Sequence, residues 1–237
     1  MRPVQPKYRV KHSARAKHVR LKVTPFDGVI VVVPTGFDER QLPELLERQQ
    51  PWIERQLTRI SAALGPVERR AALPASIALR ACDERWQIAY EATTSTRILI
   101  AETGPTELRV HGAIDDHGRV RAALKRWLAR RARATLVGRL DALSARYRLP
   151  YEKATIRFQR SRWGSCSSRG TISLNAQLMF LPPDQVRCVL THELCHTAHL
   201  NHGPDFRALL DRLEPDHQAL HRELRQGWAR VPAWVFS

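Results

Sequence analysis

Pro182-Pro183-Asp184-Gln185-Val186-Arg187-Cys188-Val189-Leu190-Thr191-His192-Glu193-Leu194-Cys195-His196-Thr197-Ala198-His199-Leu200-Asn201-His202-Gly203-Pro204 is the stretch on which the reading of this chain turns. Pro182-Pro183 marks a helix start and Asp184 suits a first turn. Val186, Val189, Leu190 and Leu194 supply an apolar side. His192 and His196 stand four residues apart, one turn along the same face, so both imidazoles can reach one zinc ion at about 2.0–2.1 Å. Glu193 lies beside that face, where a carboxylate can take a proton from metal-activated water. A chain of this composition holds such a pair around a Glu by accident in roughly 2% of cases.

A catalytic zinc site needs a third protein ligand and one open position. His199 is seven residues beyond His192, about 10.5 Å along a helix, too far to share the metal. His202 is the better candidate. Asn201 tolerates the left-handed backbone that ends a helix, and Gly203-Pro204 forbids its continuation, so the chain can turn back and aim His202 at the metal. The third His lowers the chance expectation to about 0.1%. His199 reads as a structural residue, a support for a ligand or a substrate contact. Asp205 reads as a helix-start residue, with support of a ligand imidazole as the alternative. Cys195 reads as a small buried residue rather than a ligand.

Upstream, residues 154–159 and 170–175 read as strands joined by the loop Ser161-Arg162-Trp163-Gly164-Ser165-Cys166-Ser167-Ser168-Arg169. Gly164 allows close approach, and the segment Gly164-Ser165-Cys166 is a candidate edge strand for a substrate backbone. Arg160 or Arg162 could neutralise an oxyanion or a phosphate, while Trp163 reads as a core anchor. A helix is expected over 119–148, with Val120, Leu124, Trp127, Leu128, Leu136, Leu140, Leu143 and Tyr147 on its apolar stripe. Short strands are expected near 77–80, 85–90, 97–101 and 107–111, after a linker at 65–75. Nearer the N-terminus, Val19, Leu21 and Val23 alternate with polar residues, and an apolar run covers 29–33. Together they predict a hairpin with Asp27-Gly28 at its tip. A helix from Asp38 follows, which Pro43 and Pro51 are expected to break. The fold class is α+β: an N-terminal β-rich portion with hairpin and helix over 1–115, a catalytic portion over 116–228 carrying the His-Glu helix, and a tail at 229–237.

The chain has 237 residues, enough to bury a core without disulfides. Its cysteines form no Cys-x-x-Cys pair and read as reduced thiols. No run approaches the roughly 20 apolar residues of a membrane span, and no export signal is evident, so the cytoplasm is the expected address and no membrane partner is expected. Lys plus Arg is 39 against 23 Asp plus Glu, a net +16 that suits a polyanion such as nucleic acid or a nucleotide. The first half of the helix over 119–148 carries Arg119, Arg121, Lys125, Arg126, Arg130, Arg131 and Arg133 with no acid among them. It is either a polyanion-binding face or a solvated one.

Arg162-Trp163-Gly164-Ser165-Cys166, Ile172-Ser173-Leu174-Asn175, Phe180-Leu181-Pro182-Pro183, the His192–His196 motif and Asn201-His202-Gly203 through Phe206 together resemble the YgjP-like metallopeptidase family, relatives of the WLM and SprT-like zincins. Ser13-Ala14-Arg15-Ala16-Lys17-His18-Val19, Gly28 and Trp52-Ile53 resemble its opening segment. Metzincins share the ligand spacing but place Gly where this chain has His199. The resemblance implies a minimal zincin-like α/β core, zinc (Zn2+) on His192, His196 and His202, and Glu193 as catalytic acid/base. The expected function is a zinc-dependent metallopeptidase using a Glu-activated water, acting on a peptide or protein. Arg162, Gly164 and Ser165 are the candidate substrate contacts. Two alternatives stand beside it: a metal-dependent nucleoside triphosphate pyrophosphohydrolase, and a nucleic-acid-associated protein with a structural zinc.

Overall fold

The computed structural model describes residues 8–24, 28–64 and 72–236. They form two compact units that divide between residues 64 and 72. Most of the expected linker, residues 65–71, lies outside the described residues.

In the first unit, β1 (Tyr8–Ser13), β2 (Arg20–Thr24) and β3 (Gly28–Pro34) form a sheet in the order β1-β3-β2. β2 and β3 pair antiparallel as the hairpin reading requires, although Pro25, Phe26 and Asp27 of its turn lie outside the described residues. Gly28 has φ +64°, a left-handed conformation that glycine adopts without steric cost. β1 adds a parallel partner to β3 that the patterning did not reveal. Val29, Val31 and Val33 point from β3 into a core shared with Leu42, Leu46 and Ile53 of α1 (Leu42–Leu64). Asp38 accepts a hydrogen bond from the Arg40 amide and caps the 3-10 turn leading into α1. Contrary to expectation, α1 runs unbroken through Pro43 and Pro51. Pro43 sits in the first turn, where no intrahelical N–H is needed, and Pro51 lies on the exposed side, so one lost hydrogen bond is tolerated.

The second unit opens with β4 (Ser76–Leu79), β5 (Glu84–Ala92), β6 (Leu99–Gly104) and β7 (Glu107–Gly112), in the order β4-β5-β7-β6. The boundary expected at 115/116 thus falls inside this unit. Asp116 caps α2 (His117–Ala132), accepting from the Arg119 amide. A π-helical turn, Arg133–Val137, joins α2 to α3 (Gly138–Tyr147). Val120, Leu124, Trp127, Leu128, Leu136 and Leu140 of this rod are fully buried. Trp127 meets Trp86 edge-on at 5.2 Å and donates to Glu102. Arg148, left-handed at φ +56°, ends the rod before Pro150.

β8 (Lys153–Arg157), β9 (Gly164–Cys166) and β10 (Thr171–Asn175) form the sheet that bears on the site, in the order β8-β10-β9. β9 lies antiparallel to β10 at the edge, the place expected of the segment Gly164-Ser165-Cys166 within the connection 161–169. The Asn175 side chain ties that loop down by donating to the carbonyls of Gln159 and Arg162 at 2.8 and 2.9 Å. Residues Ala176–Phe180 follow in a buried 3-10 turn that ends at the extended Leu181. Then come α4 (Pro183–Ala198), α5 (Pro204–Leu213) and α6 (His217–Leu224). Residues 229–235, expected as a tail, instead return to the core. Val231, Trp234 and Val235 are buried, and Trp234 packs edge-on against Phe180. Burial of that apolar surface is reason enough for the segment to fold. The architecture is mixed α+β. Among the described residues, no helix is long and apolar enough to cross a membrane.

Candidate metal centre

α4 presents His192 and His196 on one face, as their spacing demands. It stops at Ala198, and His199 is extended at φ −133°. The turn back to His202 uses a different device from the one expected. Asn201 is not left-handed; its side-chain oxygen accepts the Gly203 amide at 3.1 Å, and Pro204 then starts α5. This places one ring nitrogen each of His192, His196 and His202 within 4.8 Å of one another. Phe206 of α5, 2% exposed, packs beneath all three rings at 4.5 to 5.1 Å between centroids.

These residues fit a zinc ion. Two nitrogens on one tetrahedral zinc lie about 3.3 Å apart, and the Nε2 atoms of His192 and His202 are 3.2 Å apart. His196 Nδ1 lies 3.0 Å from the His199 carbonyl, which can only accept, so Nδ1 carries the proton and Nε2 is left as a lone-pair donor. His199 therefore supports the centre through its backbone, not its imidazole. Asp205 is exposed, and among the described residues it makes no hydrogen bond to a candidate ligand. Burial, reinforced by the neighbouring histidines, lowers the pKa of His192 to about 3; burial also lowers that of His196. Both rings are neutral at pH 7, as metal ligands must be.

Glu193 is 5% exposed, and burial raises its pKa to about 7, opposed by the charge of Arg162. Its Oε2 is buried without a partner. Its other carboxylate oxygen rests against β9: a Cβ added to Gly164 would stand 2.6 Å from Oε1. Glycine is required there by close approach, not by backbone conformation.

A cavity of about 490 Å³ borders His192 and Glu193. Trp163, Val189, Leu224 and Trp228 give it an apolar wall, with Ser161, Gly164, His221 and Arg225 completing it. Trp163 donates to the Leu224 carbonyl and stacks on Trp228 at 4.1 Å, so it is the anchor expected of it. Of the candidate substrate contacts, Gly164 lines the cavity. Arg162 and Ser165 do not, although the charge of Arg162 reaches Glu193. His221, Arg225 and Trp228 escaped the sequence reading. They lie beyond α5 and arrive only through the packing of α6 and the following turn against α4.

Residues 17–227 match the family model described as YgjP-like, metallopeptidase domain. The crystal structure of the metallopeptidase zymogen of Methanocaldococcus jannaschii jannalysin is similar over 39% of this chain and 96% of that chain, at 16% identity and a TM-score of 0.35. No curated protein matches the chain. With three imidazoles converging next to a buried carboxylate, and a family model spanning both units, this chain belongs to the YgjP-like metallopeptidase family.

Proposed function

We propose that the protein is a zinc peptidase in which Glu193 is the general base and acid. One observation carries this reading: His192, His196 and His202 converge within 4.8 Å, and Glu193 borders the same cavity as His192. A bound zinc ion would supply a Lewis acid and acidify a water. Glu193 takes the proton from the attacking water and returns it to the leaving amine. A carboxyl with its pKa near 7 both accepts and donates at neutral pH. Gly164 keeps the carboxylate where it must work by leaving it space.

The free side of β9 supports a peptide substrate. Among the described residues β9 pairs only with β10, so its outer N–H and C=O groups can hold an extended backbone. The apolar wall beside it suits an amino-acid side chain. A triphosphate would call for converging cations, yet Arg157, Arg160, Arg162 and Arg169 do not line the cavity. A purely structural zinc would leave a buried, unpartnered Glu193 Oε2 without purpose. The zincin-like core and the cytoplasmic address remain part of the proposal.

The test pairs two variants. Glu193→Gln retains one zinc per chain and loses peptide turnover by several orders of magnitude, while His202→Ala loses zinc by elemental analysis. Glu193-dependent release of pyrophosphate from nucleoside triphosphates, without cleavage of unfolded casein, would replace this reading with the nucleotide hydrolase.

A further inference from the structure

Hydrolysis of a peptide is faster where a hydrogen-bond donor shares, with a Lewis acid, the negative charge that develops on the carbonyl oxygen. His221, on α6, meets the requirements. It lines the cavity with Glu193 and His192, and its ring centroid lies 5.2 Å from that of His192. It stands outside the set of three converging ligand nitrogens. Among the described residues no protein group hydrogen-bonds its ring. Its position is nevertheless held. One turn earlier on α6 lies His217 at 5.7 Å between centroids, itself fixed by a 2.6 Å contact between Nε2 and the Asp211 carboxylate.

The two polar groups enter the cavity from different elements. Glu193 leans on Gly164 of β9, whereas His221 lies against His192. A carbonyl between them would meet the base on one side and a ring N–H on the other. Either protonation state of imidazole carries at least one N–H, so this role does not depend on titration. The remaining candidates are placed less well: Arg225 and Ser161 are exposed, and Arg162 does not line the cavity.

We propose that His221 is a catalytic residue of the peptidase reading above, donating its N–H to the oxyanion of the transition state. An oxyanion donor acts where charge develops, so His221→Ala lowers kcat for casein-derived peptides by about 10²- to 10³-fold with little change in KM. His221→Gln, which keeps an N–H donor, recovers part of the rate; His221→Phe, which keeps the bulk, does not. Zinc content and thermal melting of all three variants stay at the wild-type level. Calorimetric binding of a phosphonamidate tripeptide, a tetrahedral anion, weakens in parallel with the loss in kcat/KM. Zinc affinity falling in step with activity would make His221 a fourth ligand and overturn the proposal, as would near-normal kcat or unchanged phosphonamidate affinity in His221→Ala. Absence of any Glu193-dependent peptide cleavage by the wild type would sink the peptidase reading instead. The phosphonamidate measurement would then still decide whether His221 receives a tetrahedral anion.

Discussion

Glu193 is held where its charge is costly, and that cost is measurable. Its pKa rises from 4.5 unfolded to about 7 folded, chiefly through burial. The folded state therefore binds its proton more tightly, and the associated stability is present below pH 4.5 and lost as pH climbs through 7. In the metal-free protein at pH 8, Glu193→Gln should be more stable than wild type by about 3 kcal/mol, shrinking below about 1 kcal/mol at pH 5. Urea unfolding at the two pH values checks this. Gly164→Ala should displace the carboxylate, because the added methyl would stand 2.6 Å from Oε1. Turnover should fall at least 10²-fold, since misplacing a catalytic group by about 1 Å costs that much. Zinc content should not change. The convergence of His192, His196 and His202 was legible in the chain because helical spacing and a stop at Gly203-Pro204 are local devices, although the part played by Asn201 was not. His221 was not, because nothing in its own neighbourhood distinguishes it; only the docking of α6 on α4 does.

Among the elements, α1 and β9 show opposite limits of local reading. Pro51 argued for a break, yet α1 continues, since its buried side, with Leu46 and Ile53 fully enclosed, outweighs one missing hydrogen bond. Pro51→Ala should then stabilise the protein by about 2 kcal/mol: roughly 3 kcal/mol of helix propensity, offset by up to about 1 kcal/mol of unfolded-state entropy. Thermal melting measures it. β9 is three residues long and carries no alternation a sequence could display. Pairing with β10 creates it, and the Trp163 contact with the Leu224 carbonyl fixes its start. Trp163→Ala should cost about 3–5 kcal/mol through the void it leaves.

At the scale of the molecule, the net charge of +16 is plain from composition, but its arrangement is not. Part of the basic helix is spent internally: Arg131 pairs with Glu84 at 2.6 Å, and Arg119 with Asp116. Elsewhere cations crowd each other. The pKa of Lys125 is lowered by burial and then by Arg160 and Arg121, which joins the helix to the loop leading into the site. A polyanion contact there remains our proposal. It predicts that DNA affinity falls linearly with log salt, by roughly one slope unit per phosphate contact, and that Arg121→Ala with Lys125→Ala reduces the slope. A flat salt response would return these residues to a solvated face. The division between residues 64 and 72 was partly legible, because the residues there lack apolar periodicity. That the sheet formed by β4 to β7 groups with the helices α2 to α6 depends on tertiary burial that composition does not record.

The stacked indoles of Trp163 and Trp228, 4.1 Å apart and 17° from parallel, form part of the cavity wall next to Glu193. Two chromophores held so close share their excited states. The protein should therefore carry a built-in optical reporter: a coupled circular-dichroism contribution near the indole transitions that Trp228→Phe removes, leaving only the part owed to the Trp86–Trp127 pair. A peptide entering the cavity would press on one face of the Trp163–Trp228 pair and change the band's intensity, so occupancy could be followed in unlabelled protein, the Glu193→Gln variant included.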